Sequence, residues 1–458
     1  MSRPTVVVVG GGLAGIAAAL GAADGGARVT LLERRGKLGG LTWSFRRKGR
    51  WFDNGQHVFL RCCTSYRSFL DRLGATDMVH LQSRLEVPVL APGGGTSVIS
   101  RSSLPAPLHL LGSLARYRHL SLGDRARLAR PALALRRLDL DDPCLDDVAF
   151  GPWLAAHGQR PEAIAALWNL IALPTLNVSA DEASLSLAAM VFRTGLLDSA
   201  DAGDIGWSKV PLGELHGEQA SRALSEAGVE VVLGAAVDAI DANGGRARVV
   251  SFGDRSVEAE AVVVTAPPEV TSGLLPDGVL GPVERLGSSP IVNVHLVLDR
   301  RVTDLEMFAC VNSPVQFVFD RTDSAHFGDA EPAADGEQCL SISLSAADAD
   351  IGRRPEDLVS SYFKALGEVV PASRDARLID GVVSRERSAT FRAVPGSASL
   401  RPAVTTSIDR VLVAGAWCDT GWPATMEGAV RSGAAAAAAA LDRLGAARES
   451  IELERVAS

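Results

Sequence analysis

The 458-residue sequence is poor in lysine, in aromatic residues and in paired cysteines, and it has no long uninterrupted hydrophobic run. Each shortage excludes something. Its six cysteines, Cys62, Cys63, Cys144, Cys310, Cys339 and Cys418, form no C-x-x-C pair and no zinc-type spacing, which argues against a metal site and for reduced thiols in a cytoplasmic protein. A formal net charge of −8 gives nucleic acid no overall electrostatic attraction. No stretch of about 18 consecutive glycine-poor apolar residues occurs, so no membrane-spanning helix is expected. The N-terminal MSRPTVVVVGGGLAGIAAAL places one arginine ahead of an apolar run, as a secretory leader does, but a leader has no use for Gly10, Gly11, Gly12 and Gly15 there.

What is present is a set of spacings. Four consecutive valines, Val6 to Val9, suit a strand buried on both faces. Directly after them comes Gly10-x-Gly12-x-x-Gly15, opening the helix LAGIAAALGAADGG. The first glycine permits a tight turn, the second lets a pyrophosphate approach the backbone, and the third lets helix and strand pack closely. A second strand, ARVTLLERR, ends in Glu33, 23 residues after Gly10, where a carboxylate can accept hydrogen bonds from ribose hydroxyls. A bare glycine-rich turn would explain the glycines but not the strand, helix and acid at these distances.

The residues after Glu33 separate NAD from FAD. RRGKLGGLTWSF brings a second glycine pair, Gly39-Gly40, and GRWFDNGQHVF reads as a strand with a polar centre at Asp53 to His57. A flavin, extended and buried, needs backbone close to it along its whole length. These blocks, with VLVAGAW and GWPATMEGAVRSG near the C-terminus, resemble the flavin-containing amine oxidase and phytoene desaturase superfamily. The resemblance implies an α/β fold: a discontinuous Rossmann-type FAD-binding domain (1–80, 212–285 and 386–458) with an inserted α+β substrate domain (81–211 and 286–385), amine oxidase-like. Residues 81–211 read mainly helical, and PIVNVHLVLDR, VQFVFDR and QCLSISLSA read as strands.

The same resemblance implies that FAD meets Gly10, Gly12, Leu13, Ala14, Gly15, Glu33, Arg34, Gly39, Gly40, Leu41, Gly55, Gln56, His57, Val237, Ala266, Gly415, Ala416, Met426, Glu427 and Ala429. The acid that the superfamily usually carries after the glycine of "AG" is replaced by Ala416, which leaves backbone contact there or a substitute in Asp419. In the superfamily the last helix aims its N-terminus at the pyrimidine end of the flavin, where negative charge collects on reduction. Its run Ala434 to Ala440 suits close approach to that ring, or simply a tightly packed helix.

Residues 101–137 hold eight arginines and one acid, Asp124, among many leucines, a local charge of +7. This pattern fits a helix lying on anionic lipid, and equally a solvated arginine-rich face over the protein's own core. DNGQHVFLRCCTSYRSFLDRLG, LWNLIALPTLN, RERSATFRAVPG and GWPATMEGAVRSG are similar to the FAD-dependent hydroxysqualene dehydroxylases of hopanoid precursor synthesis. That likeness implies reductive removal of an allylic hydroxyl from a hydrophobic isoprenoid, hydroxysqualene, giving squalene. Such chemistry calls for a dry pocket, a proton donor and electron-rich walls. Trp168, Trp207, Trp417 and Trp422 are candidate walls, each equally readable as core. His57, Glu427 and Lys209 are candidate polar groups, with helix capping competing at Glu427 and surface exposure at Lys209. No second dinucleotide fingerprint is present, so an external electron donor is expected. A carotenoid-type desaturase or amine oxidase remains open, as does a non-catalytic prenyl-lipid carrier of the same architecture. The expected place of work is the cytoplasm, with peripheral contact on the inner face of the plasma membrane left open.

Overall fold

The structure is a computed structural model that describes residues 3–241, 247–251, 254–330, 332–334 and 336–445. The end of the third expected cofactor segment, 446–458, lies outside the described residues, as do 242–246 and 252–253 in the second. Its first layer is a five-stranded parallel sheet in the order Glu230–Leu233, Arg28–Glu33, Thr5–Val9, Ala261–Val264, Val411–Val413. Strands from three distant parts of the chain therefore share one sheet. Val6 to Val9 and Val262 to Val264 are almost wholly excluded from water, as strands covered on both faces must be. A three-stranded antiparallel sheet, Val237–Asp241, Ala247–Ser251 and Arg255–Ala259, leads into the fourth of those strands.

Two helices cover this sheet and cross each other: Leu13–Asp24, which follows the glycine turn, and the last helix, Met426–Arg443. They approach closely because small residues meet. A Cβ added at Gly433 would lie 2.1 Å from the carbonyl oxygen of Ala14, one at Gly21 3.1 Å from the Ala437 Cβ, and one at Gly25 2.2 Å from Leu441. The Gly/Ala-rich stretch of the last helix is thus used, along Gly433 to Ala440, for packing against the first helix. Of the two readings left open for Ala434 to Ala440, the structure supplies the packing one.

The second body is built on a seven-stranded mixed sheet ordered Leu378–Thr390, Ser289–Leu298, Gln338–Leu344, Phe317–Asp320, Met307–Cys310, Glu86–Ala91, Gly95–Ser100. The three strands expected from sequence are there. Residues 81–211 are not only helical, however. Glu86–Ala91 and Gly95–Ser100 form a hairpin that joins the sheet by parallel pairing with Met307–Cys310. Strand Leu378–Thr390 pairs with Ser289–Leu298 along its length and so crosses the boundary expected at 386. Helices and helical turns between Leu108 and Leu197 pack over one face of this sheet, with Phe150, Leu154, Leu176 and Leu185 buried among them.

Candidate active site

The glycine turn is built as its spacing requires. Gly10 has φ +108°, and a Cβ there would fall 2.7 Å from the hydroxyl oxygen of Thr265. At Gly15 a Cβ would sit 1.9 Å from the Gly10 carbonyl oxygen, so only glycine lets this helix rest on its strand. Gly12 differs: the nearest atom to an added Cβ is the Gly40 Cα, 3.8 Å away. The helix starts at Gly12 without a side-chain cap, leaving its N-terminal backbone free for an anion.

The second glycine pair belongs to the same cradle. Gly39 donates its backbone N–H to the Gly11 carbonyl at 2.9 Å, and Gly40, with φ +60°, lies so close to Gly12 that an added Cβ would be 2.8 Å from its Cα. Glu33 is buried at the strand end, accepting from Gly11 N at 2.6 Å and Arg35 N at 2.7 Å. Backbone, rather than side chain, therefore surrounds the place where a dinucleotide's phosphates and ribose would lie, and the residues fit FAD. Leu13 and Ala14 are buried inside the helix, whereas Arg34 and Leu41 are exposed.

Asp53 ties the two bodies together. It accepts from Ser44 Oγ at 2.6 Å and Leu212 N at 2.9 Å, and pairs with Arg321 at 3.2 Å. Beyond it, Gly55 and Gln56 run against Asn293 of the large sheet; Gln56 N donates to Asn293 Oδ1 at 3.4 Å. His57 is half-buried, its Nδ1 3.2 Å from the Gly55 carbonyl, and burial lowers its pKa from 6.5. His216 lies near enough for His57 to act on its charge. It is wholly buried, hydrogen-bonded through Nε2 to Tyr66 Oη at 2.8 Å, and pushed down to about 3 by burial first and His57 second.

A cavity of about 320 Å³ opens between the helical layer and the large sheet. Its walls are overwhelmingly apolar: Leu110, Leu114, Leu128, Leu167, Leu170, Ile171 and Met190 from helices, Val87, Ile99, Met307, Phe317 and Phe319 from strands. One end is formed by Gln56, Val58, Cys62 and Cys63 together with Trp422, Thr425, Met426 and Glu427 at the start of the last helix. A far smaller hollow of about 10 Å³ beside Phe52, His295 and Arg321 has room for at most one water.

Glu427 reaches this end but is fully engaged. Its carboxylate accepts from Ser65 N and Tyr66 N at 3.2 and 2.7 Å, capping helix Thr64–Arg72, and pairs with Arg431 at 2.6 Å. It acts here as a helix cap and ion-pair partner, not as a free acid. Trp168 and Trp422 line the cavity. Trp417 does not: its Nε1 donates to the Ala266 carbonyl at 3.3 Å, and its ring packs on Gly415, where an added Cβ would be 2.3 Å from Nε1. Trp207 stacks near His80 instead, ring centres 4.5 Å apart. Lys209 is exposed and is not among the residues that line the cavity.

Asp419 is also exposed, and its carboxylate accepts from Gly421 N, so it does not replace the acid missing at Ala416. Gly415 N is instead held by Ser432 Oγ at 2.9 Å, tying the loop to the last helix, with half-buried Ala416 following. Met426 and Ala429 stand half-buried in that helix's first turn, and Val237 opens the small antiparallel sheet. The vicinal thiols at the cavity end escaped the sequence reading. They share a hydrogen bond that lowers the Cys62 pKa and raises that of Cys63, the latter pushed up further by burial. Their adjacency was the one available signal. Among the described residues His326, Glu337 and Cys339 cluster tightly, but Glu337 is already held by both Arg50 and His326.

A parallel sheet from three chain segments, a double glycine cradle and a buried acid at the end of the second strand are the parts of a flavoprotein, and residues 13–441 match the family model described as flavin containing amine oxidoreductase. The chain belongs to that family. As a member it is a flavin-dependent oxidoreductase, and its cofactor is FAD. Among its relatives, the hydroxysqualene dehydroxylase of Rhodopseudomonas palustris is 28% identical over 444 residues, covering 94% of this chain and 97% of that protein. The 15-cis-phytoene desaturase of Glycine max is 24% identical, covering 93% of this chain and 78% of that protein. The fold is that of solved amine oxidases: putrescine oxidase bound to putrescine aligns with a TM-score of 0.71 at 20% identity, over 95% of this chain and 98% of the other.

Proposed function

We propose that this flavin-containing amine oxidoreductase works in isoprenoid metabolism, removing the allylic hydroxyl of hydroxysqualene to give squalene. The observation that carries the proposal is the apolar cavity of about 320 Å³ that reaches residues at the start of the last helix, together with relatives named for hydroxysqualene and phytoene. Gly10, Gly12, Gly15, Glu33, Gly39 and Gly40 would hold the dinucleotide half of FAD, and the Gly55 to His57 segment with Gly415, Ala416 and Met426 its other end. Bound in reduced form, the flavin supplies a hydride.

Everything else falls to this chain. The carbon–oxygen bond breaks, the hydroxyl takes a proton and leaves as water, and the allylic carbon gains the hydride in its place. Leucine walls exclude the water that would otherwise capture the cation, and Trp168 is the lining ring suited to stabilising its charge, since the Arg431 guanidinium already lies 4.9 Å over Trp422. His57, held neutral by burial at physiological pH, suits hydrogen bonding to the ring system more than donation of a proton. Electrons come from a separate donor, and the substrate comes from a lipid phase.

The competing reading is desaturation of a polyene such as phytoene, which runs hydride transfer the other way. Anaerobic single turnover separates them. Photoreduced enzyme mixed with hydroxysqualene is expected to reoxidise its flavin while squalene appears in equal amount. Absence of squalene, with flavin reduction when oxidised enzyme meets phytoene, would overturn dehydroxylation in favour of desaturation. Protein that purifies without a flavin spectrum and takes up no FAD would sink both.

A further inference from the structure

The roof of the cavity has two apolar faces. From the helical segments between Leu108 and Arg137, Leu110, Leu114, Leu128 and Ala132 point inward and line the cavity. On the other side Leu108, Leu111, Leu122 and Leu133 are 50%, 61%, 78% and 48% exposed, joined by Leu104 at 50%. These five account for nearly half of the twelve large hydrophobic residues so exposed among the described residues, and they fall within thirty positions. Scattered exposed leucines need no explanation, whereas a concentration on one short segment does.

Positive charge shares the segment with these leucines. Arg116, Arg118, Arg136 and Arg137 are exposed, and their guanidinium groups have no hydrogen-bond or ion-pair partner among the described residues. The one acid of the segment, Asp124, is buried and bound to Arg160 at 2.5 Å, so it does not offset them; acids resume at Asp139. Exposed leucines interspersed along one short segment with unpaired exposed arginines are the chemistry of a lipid interface with anionic headgroups.

We propose that residues 104–137 dock on the surface of an anionic bilayer, so that one thin layer separates the acyl chains from the cavity and an apolar substrate passes between them without crossing water. The docking itself does not depend on which isoprenoid is used, whereas the delivery role rests on the function proposed above.

The test is flotation of the flavin-loaded enzyme with vesicles of phosphatidylcholine alone or mixed with phosphatidylglycerol, in the absence of substrate. Binding is expected with the mixed vesicles, much weaker with phosphatidylcholine, and reduced by salt. Replacing Arg116, Arg118, Arg136 and Arg137 by glutamine should remove the preference for phosphatidylglycerol, at about fivefold per arginine. The variant L108S/L111S/L122S should lose binding to both, while keeping flavin content and turnover of detergent-dispersed hydroxysqualene. Loss of turnover only with vesicle-borne substrate supports delivery. Equal flotation of wild type and variants, or no flotation with mixed vesicles, overturns the proposal. So does a leucine variant that leaves vesicle binding intact but converts a dimer to a monomer in solution, which would make the patch a contact between copies.

Discussion

The glycine cradle and the apolar cavity belong to one molecule, yet they are made of different material. Around Gly10, Gly12, Gly15, Gly39 and Gly40 the working surface is backbone, and side chains matter by being absent. Added Cβ atoms there would lie 1.9 to 2.9 Å from neighbouring atoms at four of the five positions, Gly12 being the open one. Around Leu110, Leu167, Ile171 and Phe317 the surface is mostly apolar side chain. A site made of backbone tolerates no added atom; a site made of apolar side chains tolerates exchange but responds to volume.

The sharpest break in that comparison is Gly433→Ala, which puts one carbon 2.1 Å from the Ala14 carbonyl oxygen where the two cofactor-side helices cross. It is expected to cost about 1–3 kcal/mol of stability, read as a fall in the unfolding midpoint, with weaker retention of flavin. An unchanged midpoint would mean the helices shift apart freely. In the cavity the opposite is expected. Ile171→Trp should leave midpoint and flavin content near wild type while lowering kcat/KM for the isoprenoid about tenfold, as a narrowed apolar pocket does. Unaltered kcat/KM would show that substrate binds elsewhere.

A third comparison treats both halves alike. His216, beside the cofactor segment, is held at about 3, and His295, in the large sheet, at about 4, both chiefly by burial. In the unfolded chain each takes up a proton near the ordinary value of about 6.5. Between that value and the folded ones the unfolded state binds more protons, so stability is fully present above about pH 6.5 and falls as pH drops through the window. Each histidine contributes at most about 1.4 kcal/mol per pH unit. Urea unfolding at pH 7, 6 and 5 measures the slope, and His216→Asn should remove about half of it.

The contrast between the halves also explains what was legible in the sequence. Glycine leaves a mark wherever backbone must come close, so Gly10 to Gly15, Glu33 and Gly39-Gly40 announced a dinucleotide site at once. At Ala434 to Ala440 the same small residues serve a second helix, and their reading as a cofactor approach could not be told from packing in the sequence. Tryptophans carry no such address. Trp168 and Trp422 reach the cavity, while Trp417 turns to Ala266 and Trp207 to His80, because a bulky ring goes wherever the packing leaves room. Glu427 looked like an acid at a helix start, and its place in the chain gave no hint that Ser65 and Tyr66, more than 360 positions earlier, would aim their N–H groups at it. The hairpin of Glu86–Ala91 and Gly95–Ser100 went unread because its partner strand, Met307–Cys310, lies over 200 residues away.

The amino-acid order by itself determined the class of protein and the glycine cradle, since strand, glycine turn, helix and acid are neighbours in the chain and their steric demands are local. Only the tertiary structure decided the shape of the cavity, which tryptophans wall it, what Glu427 binds, and that one leucine-rich segment shows apolar faces to both the cavity and the solvent. Those features depend on contacts between residues far apart in sequence, and an apolar side chain looks the same in the chain whether it ends in a core, on a cavity wall or at a surface.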